Sequence, residues 1–87
     1  MTMLDIQPSA TLRRQDVVAM NTNMILSNSG LMKKDLAKAM GLSPQSMASR
    51  LQSKADWTID ETCAAADFFG VPLMALLDEN LTPAKAM

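Results

Sequence analysis

Apolar residues recur along this chain at spacings of three and four, and glycine and proline interrupt them. From Arg13 to Asn28, residues Val17, Val18, Met20, Met24, Ile25 and Leu26 cover a broad arc at about 100° per residue, which predicts a helix. Ser29-Gly30 closes it, because glycine takes the left-handed backbone that ends a helix. Leu36, Ala37 and Met40 share one face of a second helix, Met32 to Met40, which Gly41 stops. A third begins at Ser43-Pro44: the serine hydroxyl caps it, and proline at the first helical position has no N–H to leave unpaired. Met47 and Leu51, at i and i+4, give it a narrow inner stripe, leaving Gln45, Ser46, Ser49, Arg50 and Gln52 outside.

Thr58-Ile59-Asp60-Glu61 spells a capping box for a fourth helix, with Ile59, Thr62, Ala66 and Phe69 inward and Gly70 at its end. Val71-Pro72 opens a short fifth helix carrying Leu73, Leu76 and Leu77. No strand-like alternation and no internal repeat is present. The expectation is an all-α domain over residues 13–79, a single five-helix bundle. An irregular N-terminal arm (1–12) and a frayed tail (80–87, with Pro83) flank it.

The second and third helices, joined through Gly41, form a helix-turn-helix. Leu36, Met40, Leu42 and Met47 are expected to fill the wedge between them and fix their crossing. The polar face of the third helix is then held outward as one ridge, about the width that the DNA major groove admits.

Composition narrows the classes of function. The chain has 87 residues, 48% hydrophobic and 20% charged, which fits one small folded domain. No apolar run is long enough to span a bilayer, no secretory leader is evident, and the single cysteine, Cys63, fits a reducing compartment. A cytoplasmic location is expected. With no histidine and one cysteine, neither a metal site nor a His-dependent nucleophile is expected, and no cofactor or small-molecule ligand is evident. Asp60-Glu61 is the one acid pair near a motif, and the capping box accounts for it; an enzyme is not expected.

The net charge of −1 hides an asymmetry. Residues 31–54 carry Lys33, Lys34, Lys38, Arg50 and Lys54 against Asp35, whereas residues 55–87 carry six acids against Lys85. A basic segment within an acidic chain permits a local anion site.

These residues resemble the phage Cro and lysogeny-repressor family of helix-turn-helix domains, the lambda-repressor-like fold. The resemblance runs from about Val18 to Leu77. It rests on Asn21, Gly30-Leu31, LAKAMGLS (Leu36 to Ser43), MASRLQSK (Met47 to Lys54), TIDE (Thr58 to Glu61) and FFGVPLMALL (Phe68 to Leu77). One departure is Arg50, where many members bury an aliphatic residue; here the apolar position falls at Leu51.

The resemblance implies a sequence-specific, repressor-like regulator of phage or mobile-element type that reads double-stranded DNA with its third helix. It places Pro44, Gln45, Ser46, Ser49 and Arg50 in the base-contacting set, with phosphate or the protein surface as alternative destinations for Arg50. Glutamine suits a bidentate contact with adenine. It places Lys33 and Lys54 on phosphate; for Lys34 and Lys38 a merely solvated face is the better reading. Arg14, beside Arg13, sits at a helix N-terminus where a cation is mildly unfavourable, and this suggests a phosphate role unless Asp16 offsets it. Trp57 is expected to pack just before the fourth helix.

Phe68 lies roughly opposite the Thr62–Ala66 face, so a monomer is expected to expose it. Together with Met74, Leu77 and Leu81 it suggests a homodimer interface that sets two recognition helices about 34 Å apart. The alternative is a protein-binding adaptor or antirepressor that keeps the fold and has lost DNA affinity; the acidic balance and the methionine-rich surface favour it.

Overall fold

A computed structural model describes residues 13–82; the expected arm at 1–12 and residues 83–87 of the tail lie outside the described residues. The chain is all-α, with five helices: α1 (Arg14–Ser29), α2 (Lys33–Met40), α3 (Pro44–Leu51), α4 (Ile59–Phe69) and α5 (Leu73–Leu76). The element order and most boundaries agree with the sequence pattern to within a residue. No helix among the described residues is long and apolar enough to cross a membrane.

The caps explain the agreement. Ser43 Oγ accepts the backbone N–H of Ser46 at 3.1 Å, with Pro44 at the first helical position. The Thr58/Glu61 capping box is complete in both directions. Gly41 adopts φ 72°, and the Leu42 N–H then bonds back to the Ala37 carbonyl at 2.9 Å. Nothing stands within 4 Å of where a Cβ would sit on Gly41, so the left-handed backbone, rather than crowding, is what calls for glycine there. After α3 the left-handed position is filled by Ser53, φ 59°, and Lys54 N–H closes onto Ser49 O at 2.9 Å.

The core gathers Val18, Ile25 and Leu26 of α1, Leu36, Ala37 and Met40 of α2, and Met47 and Leu51 of α3. Ala65 and Ala66 of α4 and Leu76 of α5 complete it. An eight-residue helix such as α3 is marginal alone. Burying Met47 and Leu51 contributes roughly 1.5–3 kcal/mol for each side chain. Leu42 packs against the same cluster, so the expected wedge between α2 and α3 is present.

Two polar residues of α1 hold other helices by their ends. Asn21, 2% exposed, donates its amide to the carbonyls of Leu76 (2.8 Å) and Asp78 (2.9 Å), at and beyond the end of α5. Asn23 donates to the Leu51 carbonyl at 2.9 Å, at the end of α3. Both satisfy carbonyls that a helix end leaves without intrahelical partners. Thr22 is fully buried, and its hydroxyl has no hydrogen-bond partner among the described residues.

Two inward–outward assignments need correction. Ile59 is 74% exposed, although it falls on the stripe of Thr62 and Ala66. It is the first residue of α4, and the cover that Arg50 gives to Glu61 in the same turn does not extend to it. Phe68 is half-buried: it packs on the core and meets Phe69 edge-to-face with ring centroids 5.5 Å apart. Helix α4 packs against α1, α2 and α5 together, so more of its circumference is covered than one stripe requires.

Candidate nucleic-acid interface

The corner formed by the start of α2 and the outer edge of α3 brings together most of the residues expected at a DNA surface. Pro44 and Gln45 are exposed on the first turn of α3, and Ser46 and Ser49 are half-buried along it. The Gln45 amide has no hydrogen-bond partner among the described residues. Ser46 is partly committed to the cap, its Oγ lying 3.1 Å from Ser43 Oγ. Ala48 is exposed as well, three residues beyond Gln45 and four beyond Pro44. It therefore adds a methyl group to this edge, at a position that the sequence does not mark because alanine carries no polar signal.

Lys33 and Lys34 stand across from this edge, at the first turn of α2. Between the two helices runs an apolar groove of about 240 Å³, floored by Ala37, Met47 and Ala48 and rimmed by the two lysines and Pro44. The residue before α2, Met32, provides no side-chain cap. The Asp35 N–H turns back to the Met32 carbonyl at 3.1 Å, which leaves the N–H groups of Lys33 and Lys34 open to solvent or to an anion. Lys54 lies exposed just beyond α3.

Charge pairing separates the two kinds of cation. Among the described residues, ion pairs form at Arg13–Asp16, Arg14–Glu79 and Arg50–Glu61, so every described arginine is engaged. Lys33, Lys34, Lys38 and Lys54 take part in none of them.

Two of the residues expected at DNA are engaged within the protein instead of standing free. Arg50 turns away from the Gln45–Ser49 edge and grips Glu61 through two hydrogen bonds, Nε to Oε1 and Nη2 to Oε2, both 3.0 Å. The pair is largely buried, with the side chains 19% and 12% exposed. Glu61 Oε1 also accepts the Thr58 N–H at 3.1 Å. The Arg50 hydrogen bonds, helped by Thr58, hold the Glu61 carboxyl below the usual carboxylate range against the opposing effect of burial, and Glu61 in turn raises the Arg50 guanidinium. Arg50 thus ties α3 to α4. Arg14 is likewise occupied: it donates to the Leu77 carbonyl at 2.9 Å and to the Glu79 carboxylate, beside α5. At the start of α1 the positive charge is met further by Asp16, which accepts from Arg13 Nε at 3.1 Å, and Arg13 keeps the Asp16 carboxyl below its ordinary range.

The proposed dimer set fares similarly. Of Phe68, Met74, Leu77 and Leu81, Met74 alone is exposed (72%); the other three pack partly buried against the core. Trp57 packs as expected, and its indole N–H donates to the Arg50 carbonyl at 3.0 Å while its backbone N–H donates to Gln15 Oε1 at 3.2 Å. The last two carbonyls of α3 thus receive donors from Trp57 and Asn23, and its first turn is capped by Ser43. The helix is held at both ends as well as along its buried stripe.

No group of three or more His, Cys, Asp or Glu among the described residues is placed to hold a metal ion. Comparison with protein-family models, with curated proteins and with solved structures found no match to this chain.

Proposed function

We propose that this protein is a cytoplasmic, repressor-like regulator that binds double-stranded DNA, with α3 lying in the major groove and the start of α2 on the phosphate backbone. The observation that carries the reading is the α2–α3 corner itself. There an exposed, unengaged Gln45 stands on a helix fixed at both ends, beside lysines that pair with no carboxylate among the described residues. Gln45 is the base reader, suited to adenine in a bidentate contact. Pro44, Ala48 and Ser49 shape the fit. Lys33 and Lys54 take phosphates, which set affinity without specifying sequence. Arg50 and Arg14 have no part in the contact.

Selection of bound duplexes from a random pool, followed by gel shift at low salt, tests the proposal. Gln45→Ala weakens the selected site by about 1–3 kcal/mol at one base position and leaves random DNA unaffected. Failure of the parent protein to retain any duplex overturns the reading and leaves the adaptor.

A further inference from the structure

The groove between α2 and α3 has two unlike parts. Its floor is hydrocarbon, made by the buried Ala37 and Met47 with the exposed Ala48 beside them. Its rim is Lys33 and Lys34 on one side and Pro44 on the other, and no carboxylate among the described residues lines it. Pro44 and Ala48 stand at i and i+4 on α3, so they share one face, and Gln45 lies just beyond them at i−3 from Ala48. An apolar strip therefore separates two lysines from a glutamine, over a groove of about 240 Å³.

We infer that this strip takes the C5-methyl group of a thymine in duplex DNA, with Ala48 and Pro44 as its contacts; this rests on the DNA-binding reading above and adds a second base to it. Ala48 and Pro44 are then specificity-determining residues beside Gln45.

Charge and placement carry the assignment. The lysines complement phosphate, Gln45 complements a base edge, and the hydrocarbon strip lies between them. On the duplex the thymine methyl holds the matching place. It projects into the major groove from C5, nearer to the backbone of its own strand than O4 is. Phosphate, methyl and base edge thus follow the same order as the lysines, the Pro44–Ala48 strip and Gln45. The rim also separates thymine from cytosine. Ammonium groups only donate, so they suit the O4 acceptor of thymine and oppose the N4 amino donor of cytosine. Burying one methyl group is worth about fourfold in affinity. That suffices to choose between bases, while the lysines supply the attraction that any duplex feels.

The test takes the duplex selected from a random pool and replaces each thymine in turn by deoxyuridine, which deletes the methyl and keeps O4 and the pairing. At a thymine in or next to the base pair read by Gln45, the parent protein loses about fourfold in affinity. In Ala48→Gly, which removes the protein's methyl, the thymine-to-deoxyuridine ratio falls to about one. It does so too in Ala48→Gln, which fills the mouth of the groove while keeping a good helix former. Each ratio is taken on one protein, so any general loss of folding or of phosphate contact cancels. Ratios near one at every thymine in the parent overturn the methyl contact and leave DNA binding standing. A ratio that survives both substitutions overturns it as well, since the methyl is then read elsewhere. If the parent retains no duplex, the DNA-binding reading falls and the methyl contact with it. A further arm places 5-methylcytosine, paired with guanine, at the responsive position. Weaker binding than to thymine is expected; tighter binding makes methylated cytosine the occupant and overturns the thymine assignment.

Discussion

The lysines and the arginines of this small domain lead different lives. At the α2–α3 corner, Lys33, Lys34 and Lys54 project from exposed positions and bind no carboxylate among the described residues. Arg13, Arg14 and Arg50 are instead each joined to an acid, and two of them bridge separate parts of the chain. The difference follows from side-chain chemistry. A planar guanidinium can grip a carboxylate with two hydrogen bonds, which gives Arg50 a fixed place between α3 and α4; an ammonium on a flexible stem stays hydrated. Arg50 ties two helices together in a largely buried pair, Arg13 and Arg14 pair at the surface, and the lysines leave a positive face on a chain that is acidic overall. Sequence charge counts treat both as equivalent cations.

The contrast can be broken in several ways. The largest effect is expected at the elbow supporting the basic face: Met47→Ala removes a 2% exposed side chain and costs about 2–5 kcal/mol in urea unfolding. A value near zero would mean that α3 is not held from behind.

Arg50→Ala comes next. It strips two hydrogen bonds from a carboxylate that is 12% exposed, and an expected loss of about 2 kcal/mol follows from leaving that group underpaired. Glu61 is held below the usual carboxylate range, so its contribution is complete at pH above that range and disappears as acid carries the pH down through its lowered value. The parent therefore loses more stability between pH 7 and pH 3 than Arg50→Ala does. A variant with parental stability but impaired DNA binding would return Arg50 to the DNA-reading set and erase the distinction between the two cations.

Lys33→Ala and Lys54→Ala should do the reverse. Stability stays within about 0.5 kcal/mol, while binding to every duplex weakens and the salt slope falls by about 1 for each. Smallest is Thr22→Val, which replaces a buried, unpartnered hydroxyl with a methyl group of similar shape. It is expected to raise stability by up to about 1 kcal/mol, since no hydrogen bond is lost.

Where the information was local, the chain was readable. Ser43-Pro44, Thr58 with Glu61, and Gly41 each announce a helix end through contacts within a few residues, and each sits where its chemistry requires. The same holds for the elbow of Leu36, Met40 and Met47, which one period of 3.6 reveals. What escaped is non-local. Arg50 meets Glu61 eleven residues away, and Arg14 meets Glu79 sixty-five residues away; no spacing rule connects them. A single buried stripe on α4 would leave Phe68 outside, whereas three neighbouring helices pack around α4. Ile59 fails in the opposite sense: it has the right period and no covering partner. Of the candidate interface, Gln45 and the lysines were legible as exposed polar positions, whereas Ala48 emerged only once its neighbours were known.

The way α3 is anchored has a consequence for how such a domain can change. Ser43, Asn23, Trp57, Met47 and Leu51 fix its pose, and none of them lies on the exposed Gln45–Ala48 edge. Those outer side chains can be exchanged while the scaffold keeps its alignment. On the proposed DNA-binding reading, specificity is rewritten by substitution at a few surface sites, independently of the energetics that keep the domain folded.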